Sequence, residues 1–310
     1  MNFNEILGNN KIKQDLQEII DNNTISHSYM FVGIDGIGKK LIAKEFARKI
    51  LCLNKQNQNC ATCDSCIKFN SGNNPDFLEI FPDGNSIKIA QMREMQEKVY
   101  QKPIVSDKKV FIIDQVEKMT EEAQNSLLKT LEEPPEYMVI ILITSNENKL
   151  LNTVKSRCIR INFTGLSKQD ITKYAGAHQI NISSQNLLEM CGGSIGKLEK
   201  INENIDDYNS LELATNKLID GKLKNVVEEM NCFNILYESK EIIQDLLDYM
   251  TVLIYLHISK EKDYRQKFLN TIKLIEETKQ RLNSNTNYDM SIDNLLFKIW
   301  EEFNENNSRS

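Results

Sequence analysis

No apolar run in this sequence approaches the ~18 residues that a membrane-spanning helix requires. The longest, Tyr249 to Ile258, lies between Asp248 and Lys260 and reads as the buried side of one helix, so no membrane association is expected. The opening residues, MNFNEILGNN, carry neither a basic nor an apolar stretch; no secretory signal is expected, and the predicted compartment is the cytoplasm. Histidine is scarce. His27, His178 and His257 have no partner at metal-ligand spacing, which leaves them structural roles. Cysteine occurs in an odd number, seven, and in a cytosolic context this excludes a disulfide framework. An excess of positive charge is also lacking. Residues 1–206 hold 25 basic against 26 acidic side chains, residues 207–310 hold 13 against 18, and the net charge is -6. An acidic last third does not wrap DNA, because phosphate contacts are made mostly by Lys and Arg. Proline numbers five and is absent after Pro135, which predicts a loop-rich front and a helical rear.

What is present is an ordinary globular composition, 40% hydrophobic and 26% charged, in a chain of 310 residues, long enough for two or three domains. Ser28 to Gly33, Lys109 to Asp114 and Met138 to Ser145 are short Val- and Ile-rich runs, apolar on both faces, as parallel strands covered on two sides are. Helical sequence from Lys39 to Cys52 follows the first. A helix from Met119 to Glu133 follows the second, with Thr120 as its predicted N-cap and Pro134 as its stop. Strands alternating with helices predict a parallel, doubly wound α/β domain. The helical rear begins near Ser167, where Ser167-Lys168-Gln169-Asp170 forms a capping pattern. Leu246, Leu247, Met250, Leu253 and Ile254 make one apolar stripe there, expected as bundle core. The tail from Asn304 is expected to fray.

Gly33-Ile34-Asp35-Gly36-Ile37-Gly38-Lys39 fits G-x-x-x-x-G-K between a strand and a helix, the pattern of a phosphate-binding loop. Its glycines allow backbone N–H groups to surround phosphate oxygens at a helix N-terminus. Gly33, Gly36, Gly38 and Lys39 are therefore candidate nucleotide-binding residues, with Asp114 at the end of the second strand. Two residues break the pattern. The Ser or Thr that would hold Mg²⁺ is Lys40, and an ammonium cannot ligate a metal. The residue after Asp114, where an active ATPase has a Glu to activate water, is Gln115, which cannot accept the proton. Turnover and Mg²⁺ are not expected; whether ATP or ADP still binds is left open.

Cys52, Cys60, Cys63 and Cys66 are spaced C-x7-C-x2-C-x2-C. Four soft thiolates suit a closed, tetrahedral zinc site, which is structural and not catalytic. Lys55 and Lys68 are the only basic residues expected nearby, which counts against a nucleic-acid-reading zinc ribbon.

Asn125-Ser126-Leu127-Leu128-Lys129-Thr130-Leu131-Glu132-Glu133-Pro134-Pro135 and Ser156-Arg157-Cys158 carry a family resemblance, together with the degenerate loop, the cysteine insertion and the opening Phe3, Ile6, Gly8 and Asn9. The chain resembles the delta-prime family of bacterial DNA polymerase III clamp-loader subunits, which are AAA+ proteins. The resemblance implies an AAA+ α/β domain over 1–164 with a zinc module at about 52–66, a three-helix lid over 165–206, and a helical collar over 207–310 that assembles the subunit ring. It implies that Arg157 is a trans-acting arginine finger, and that Lys197, in Gly193-Ser194-Ile195-Gly196-Lys197, stands where active subunits usually carry Arg. Its implied partners are the gamma/tau and delta subunits, the sliding clamp within the complex and, indirectly or weakly, primer-template DNA. The holoenzyme is a DNA-directed DNA polymerase, but neither polymerase nor ATPase turnover is expected of this chain alone. The alternatives are an ATP-hydrolysing motor of the gamma/tau or replication factor C type, which Lys40 and Gln115 oppose, and a zinc-dependent nucleic-acid-binding module.

Overall fold

The computed structural model describes residues 2–55, 57, 59–181, 184–258, 265–284 and 286–304; the tail beyond Asn304 lies outside the described residues. The chain forms two compact units, Met1–Tyr174 with Gly193–Lys197, and Ala175–Gly192 with Leu198–Ser310.

The first unit is built on a wholly parallel sheet of β1 (Ser28–Val32), β2 (Phe77–Ile80), β3 (Lys109–Ile113), β4 (Met138–Thr144) and β5 (Ile159–Asn162), ordered β2-β3-β4-β1-β5. The three apolar runs are its central strands. Successive side chains point to opposite faces, and both faces are covered. Tyr29, Phe31, Val110, Ile112, Val139 and Ile141 enter one core, which α1 (Asn10–Asp21) and α2 (Lys39–Leu51) complete. Beyond α3 (Asp64–Asn70), helices α4 (Ile89–Val99), α5 (Glu121–Glu132) and α6 (Asn152–Lys155) close the other core over Met30, Phe111, Ile113, Ile140 and Leu142. Full burial of each such aliphatic side chain contributes roughly 1.5–3 kcal/mol. Thr120 caps α5 as its sequence predicts, Oγ1 accepting from Ala123 N–H at 3.3 Å. The edge strands β2 and β5 were not evident from sequence. Ile159–Asn162 is largely exposed, and its alternation of two isoleucines with Arg160 and Asn162 is too short to stand out.

Helices α7 (Lys168–Ala177) and α9 (Ile195–Glu203) contain unit boundaries, and α8 (Gln185–Cys191) lies between them in sequence. Ser167 and Asp170 form the expected cap, with Asp170 N–H donating to Ser167 Oγ at 3.1 Å. The second unit continues with α10 (Ile205–Ile219), α11 (Val226–Cys232), α12 (Ile235–Glu238), α13 (Ile243–Ile258), α14 (Arg265–Leu282) and α15 (Tyr288–Asn304). Leu246, Leu247, Met250, Leu253 and Ile254 on α13 are all buried, as the stripe predicts. Glu212 accepts from Ser184, from Asn186 Nδ2 at 2.7 Å and from the Tyr249 hydroxyl. Glu229 on α11 contrasts with it: fully buried, with no hydrogen-bond partner for either carboxyl oxygen among the described residues. Among the described residues no helix is long and apolar enough to cross a membrane.

Candidate functional site

The residues of interest gather at the two ends of α2. At its N-terminal end, Gly33 to Lys39 turns through Gly36 at φ +73° and Gly38 at φ +89°, the left-handed region that glycine enters without strain. Gly36 is required by proximity as well. A Cβ there would lie 2.3 Å from Ser194 Oγ and 2.7 Å from the Gly196 nitrogen. Ser194 Oγ donates to the Asp35 carbonyl at 2.7 Å and Gly196 N–H to the Gly36 carbonyl at 3.2 Å. The segment containing Lys197 is thus laid on the loop, and Lys197 N–H donates to Ser194 Oγ at 3.0 Å. Lys39 is buried and turned onto the loop itself, its Nζ donating to the carbonyls of Gly33 and, at 2.7 Å, Ile34. Burial lowers its pKa, and Asp35, 3.7 Å away, opposes that shift.

Lys40 Nζ lies 2.6 Å from Glu79 Oε1 and 3.2 Å from Asp114 Oδ2, while Lys44 Nζ holds Glu79 Oε2 at 2.7 Å. An ammonium therefore stands between two carboxylates at the C-terminal ends of adjacent strands. Burial alone would lower its pKa, but the pairs with Glu79 and Asp114 outweigh it and raise the value. Burial likewise pushes Glu79 up, and its two lysines bring it below the ordinary carboxylate range. Gln115 sits at φ +55° and opens a short 3-10 turn, offering a carboxamide and no base. Glu117, two residues on, accepts from Thr144 Oγ1 at 2.8 Å and Ser145 Oγ at 2.7 Å. Burial opposes its ionisation, and these hydroxyls restore it. This nearby carboxylate is already engaged.

At the C-terminal end of α2, the sulfurs of Cys52, Cys60, Cys63 and Cys66 lie within 4.8 Å of one another. Cys52 caps α2. Cys63 caps α3, its Sγ accepting from Cys66 N–H at 3.5 Å. Burial opposes ionisation of Cys63, but the N–H groups of Cys66 and Leu53 prevail and bring its pKa to about 6. Burial pushes Cys66 up. Four converging thiols, with no further His, Cys, Asp or Glu ligand in the group among the described residues, fit a metal ion in a closed site. Lys55 and Lys68 are not the only basic residues near it. Arg48 Nη1 donates to the Cys60 carbonyl and, at 3.4 Å, to Cys66 Sγ, while Nε and Nη2 fork onto Glu45 at 2.8 and 2.7 Å. One helical turn before Cys52 is the signal that could have found it. Lys55 and Lys68 pair with Asp107 and Asp64.

Arg157 is apart from both ends, between α6 and β5. Its Nη2 pairs with Glu132 Oε1 at 2.7 Å, Nη1 donates to the Thr153 carbonyl at 2.8 Å, and a third of the side chain is exposed. Burial pushes the neighbouring Cys158 thiol up to about 11, an inert packing role.

Fold and sites together define an α/β protein with a parallel sheet, a glycine-rich loop before α2, a lysine held between two strand-end carboxylates, and an inserted segment that gathers four thiols. The family described as "DNA polymerase III, delta subunit" matches residues 8–167, and the chain belongs to it. It is 27% identical to the DNA polymerase III subunit delta' of Bacillus subtilis over 94% of this chain and 96% of that protein. The Bacillus subtilis DNA polymerase III subunit tau is 30% identical over 78% of this chain and 46% of its own length, and the Haemophilus influenzae subunit tau/gamma 34% over 56% and 25%. The chain thus spans nearly all of the delta' relative and less than half of these two. A crystal structure of a DNA polymerase III gamma-subunit-related protein from Thermotoga maritima shares the fold, with TM-score 0.50 and 21% identity over 94% of this chain and 99% of that one.

Proposed function

We propose that this chain is a non-catalytic, delta-prime-type subunit of a bacterial clamp loader, with an AAA+ domain over 1–164, a lid over 165–206 and a ring-assembling collar over 207–310. The observation that carries the reading is Lys40. An ammonium at 2.6 Å from Glu79 and 3.2 Å from Asp114 supplies internally the positive charge that Mg²⁺ supplies in a hydrolysing subunit. Lys39 on the loop carbonyls and Gln115 in place of a base support the same conclusion. Relatives named as delta' and tau/gamma subunits support assembly with gamma/tau and delta around a sliding clamp.

In this reading Arg157 acts on ATP held by a neighbouring subunit. Its exposed pair with Glu132 is worth about 0–1 kcal/mol, so the guanidinium exchanges that carboxylate for γ-phosphoryl oxygens at little cost, and its planar fork suits two of them. Cys52, Cys60, Cys63 and Cys66 hold a structural zinc. In a reconstituted loader, Arg157→Ala leaves assembly intact while clamp loading onto primed DNA drops sharply; trans arginines contribute about 10³–10⁵ in rate. Normal assembly with undiminished loading removes the finger role. Steady phosphate release by the unmutated chain alone replaces the whole reading with that of an ATPase motor.

A further inference from the structure

The four-thiol segment is tied to the sheet by a chain of buried polar side chains. Ser65, between Cys63 and Cys66, and Asp76, just before β2, are fully buried, and Asn74 is nearly so. Asp76 collects three backbone donors from the segment that precedes β3. Oδ1 accepts from Ile104 N–H at 2.7 Å, and Oδ2 from Val105 and Ser106 N–H at 2.7 and 2.8 Å. Charge-assisted bonds of this kind fix the backbone they hold. That backbone presents the Ser106 hydroxyl, which donates to the Leu51 carbonyl at 2.7 Å and lies 3.0 Å from Ser65 Oγ. A hydroxyl has one proton. With Ser106 donating to Leu51, Ser65 donates to Ser106 and accepts from Asn74 Nδ2 at 3.0 Å. Asn74 in turn donates to the Ser65 carbonyl at 3.0 Å and accepts from Asp76 N–H at 2.9 Å. Leu51 precedes Cys52, and Ser65 precedes Cys66. Ser106 therefore bridges the two parts of the thiol set, the end of α2 with Cys52 and the start of α3 with Cys63 and Cys66. Between Cys52 and Cys63 the described residues form no helix or strand, so the spacing of the two parts is set from outside the insert.

We propose that Ser106, held in place by Asp76, is a positioning residue of the four-thiol centre: it sets the separation of Cys52 from Cys63 and Cys66 and thereby raises the affinity for a metal ion. The proposal rests on the reading of these cysteines as a zinc site. Ligands already spaced for a tetrahedron lose less freedom when the ion binds. Groups one layer behind metal ligands contribute about 10–100-fold in affinity. Ser106 is 40 residues beyond Cys66 in sequence and offers no ligand itself, so only the folded sheet brings it to the site.

Titration of the reduced full chain with Co²⁺ tests this, because a tetrahedral thiolate site gives Co²⁺ a characteristic visible absorption. The unmutated chain shows that spectrum. Ser106→Ala weakens Co²⁺ binding about tenfold or more and alters the band shape, and Ser106→Thr, which keeps the hydroxyl, restores both. Thr120→Ala removes the cap of α5, far from the thiols in the hydrogen-bond network, and serves as the control: it lowers the melting temperature and leaves Co²⁺ affinity unchanged. Should Ser106→Ala fail to fold, Asp76→Asn replaces it and moves affinity in the same direction. The positioning role is overturned if the unmutated chain shows the thiolate spectrum and Ser106→Ala matches it in affinity and band shape, or if Thr120→Ala weakens Co²⁺ binding as much. An unmutated chain without that spectrum overturns the metal centre itself and the positioning role with it.

Discussion

The two ends of α2 both carry buried or half-buried cations beside anionic groups, and they use them in opposite ways. At the C-terminal end Arg48 stays behind the thiols, bonded to Cys66 Sγ and the Cys60 carbonyl, and supports a position where a metal fits. At the N-terminal end Lys40 stands between Glu79 and Asp114, and in the proposed reading it takes the place of a metal. A cation one layer back stabilises ligands for a metal, whereas a cation in their midst replaces it. A motif at either end therefore says little until the partner of the nearest Lys or Arg is known.

The comparison breaks first at the thiols. Cys66→Ser removes a ligand from the closed set, and bound zinc falls from about one per chain to near zero by metal analysis, with a lower melting temperature, because metal binding is coupled to folding. Zinc uptake strengthens as pH rises, since the thiols must lose protons. A chain that retains full zinc in this variant refutes the four-cysteine centre. Arg48→Met comes next. It leaves Glu45 buried without its forked partner, at a cost of about 3–5 kcal/mol, and weakens zinc affinity by about 10–100-fold. Chemical denaturation and competition with a chromogenic chelator measure the two effects separately.

A buried carboxyl with no hydrogen-bond partner among the described residues sharpens the contrast from the other unit. Burial pushes the Glu229 carboxyl up to about 8. The folded chain holds that proton more tightly than the unfolded chain, so stability is highest below the ordinary glutamate range and is lost as pH rises toward 8. At pH 7 the penalty is on the order of 3 kcal/mol. Glu229→Gln therefore flattens the melting temperature between pH 5 and 8; an unchanged pH dependence shows that the carboxyl is satisfied in solution. The smallest effect is at Lys40. Its side chain is 43% exposed, so Lys40→Thr alters stability by less than about 1 kcal/mol. Its consequence is chemical: with Gln115→Glu added, Mg²⁺-dependent nucleotide binding appears by titration, while turnover still awaits a neighbour's arginine. Equal Mg²⁺-nucleotide binding by the unmutated chain contradicts the replacement of metal by ammonium.

Whatever depends on residues close in sequence was determined by the sequence alone. Three central strands show as unbroken apolar runs, Thr120 and Ser167 cap the helices they precede, and the four cysteines fall within one short span. The departures of Lys40 and Gln115 from the phosphate-loop pattern were also legible, because both occupy fixed offsets from Lys39 and Asp114. The remainder depends on strand order. β2 beside β3 brings Glu79 to Asp114, and only then does Lys40 acquire two carboxylate partners. The same holds for Ser194 on the phosphate loop and for Glu229, whose isolation is a property of packing. Local patterns encode which element forms. Which side chains then meet, and at what electrostatic cost, follows from burial between distant segments, and that is decided only when the tertiary structure closes over them.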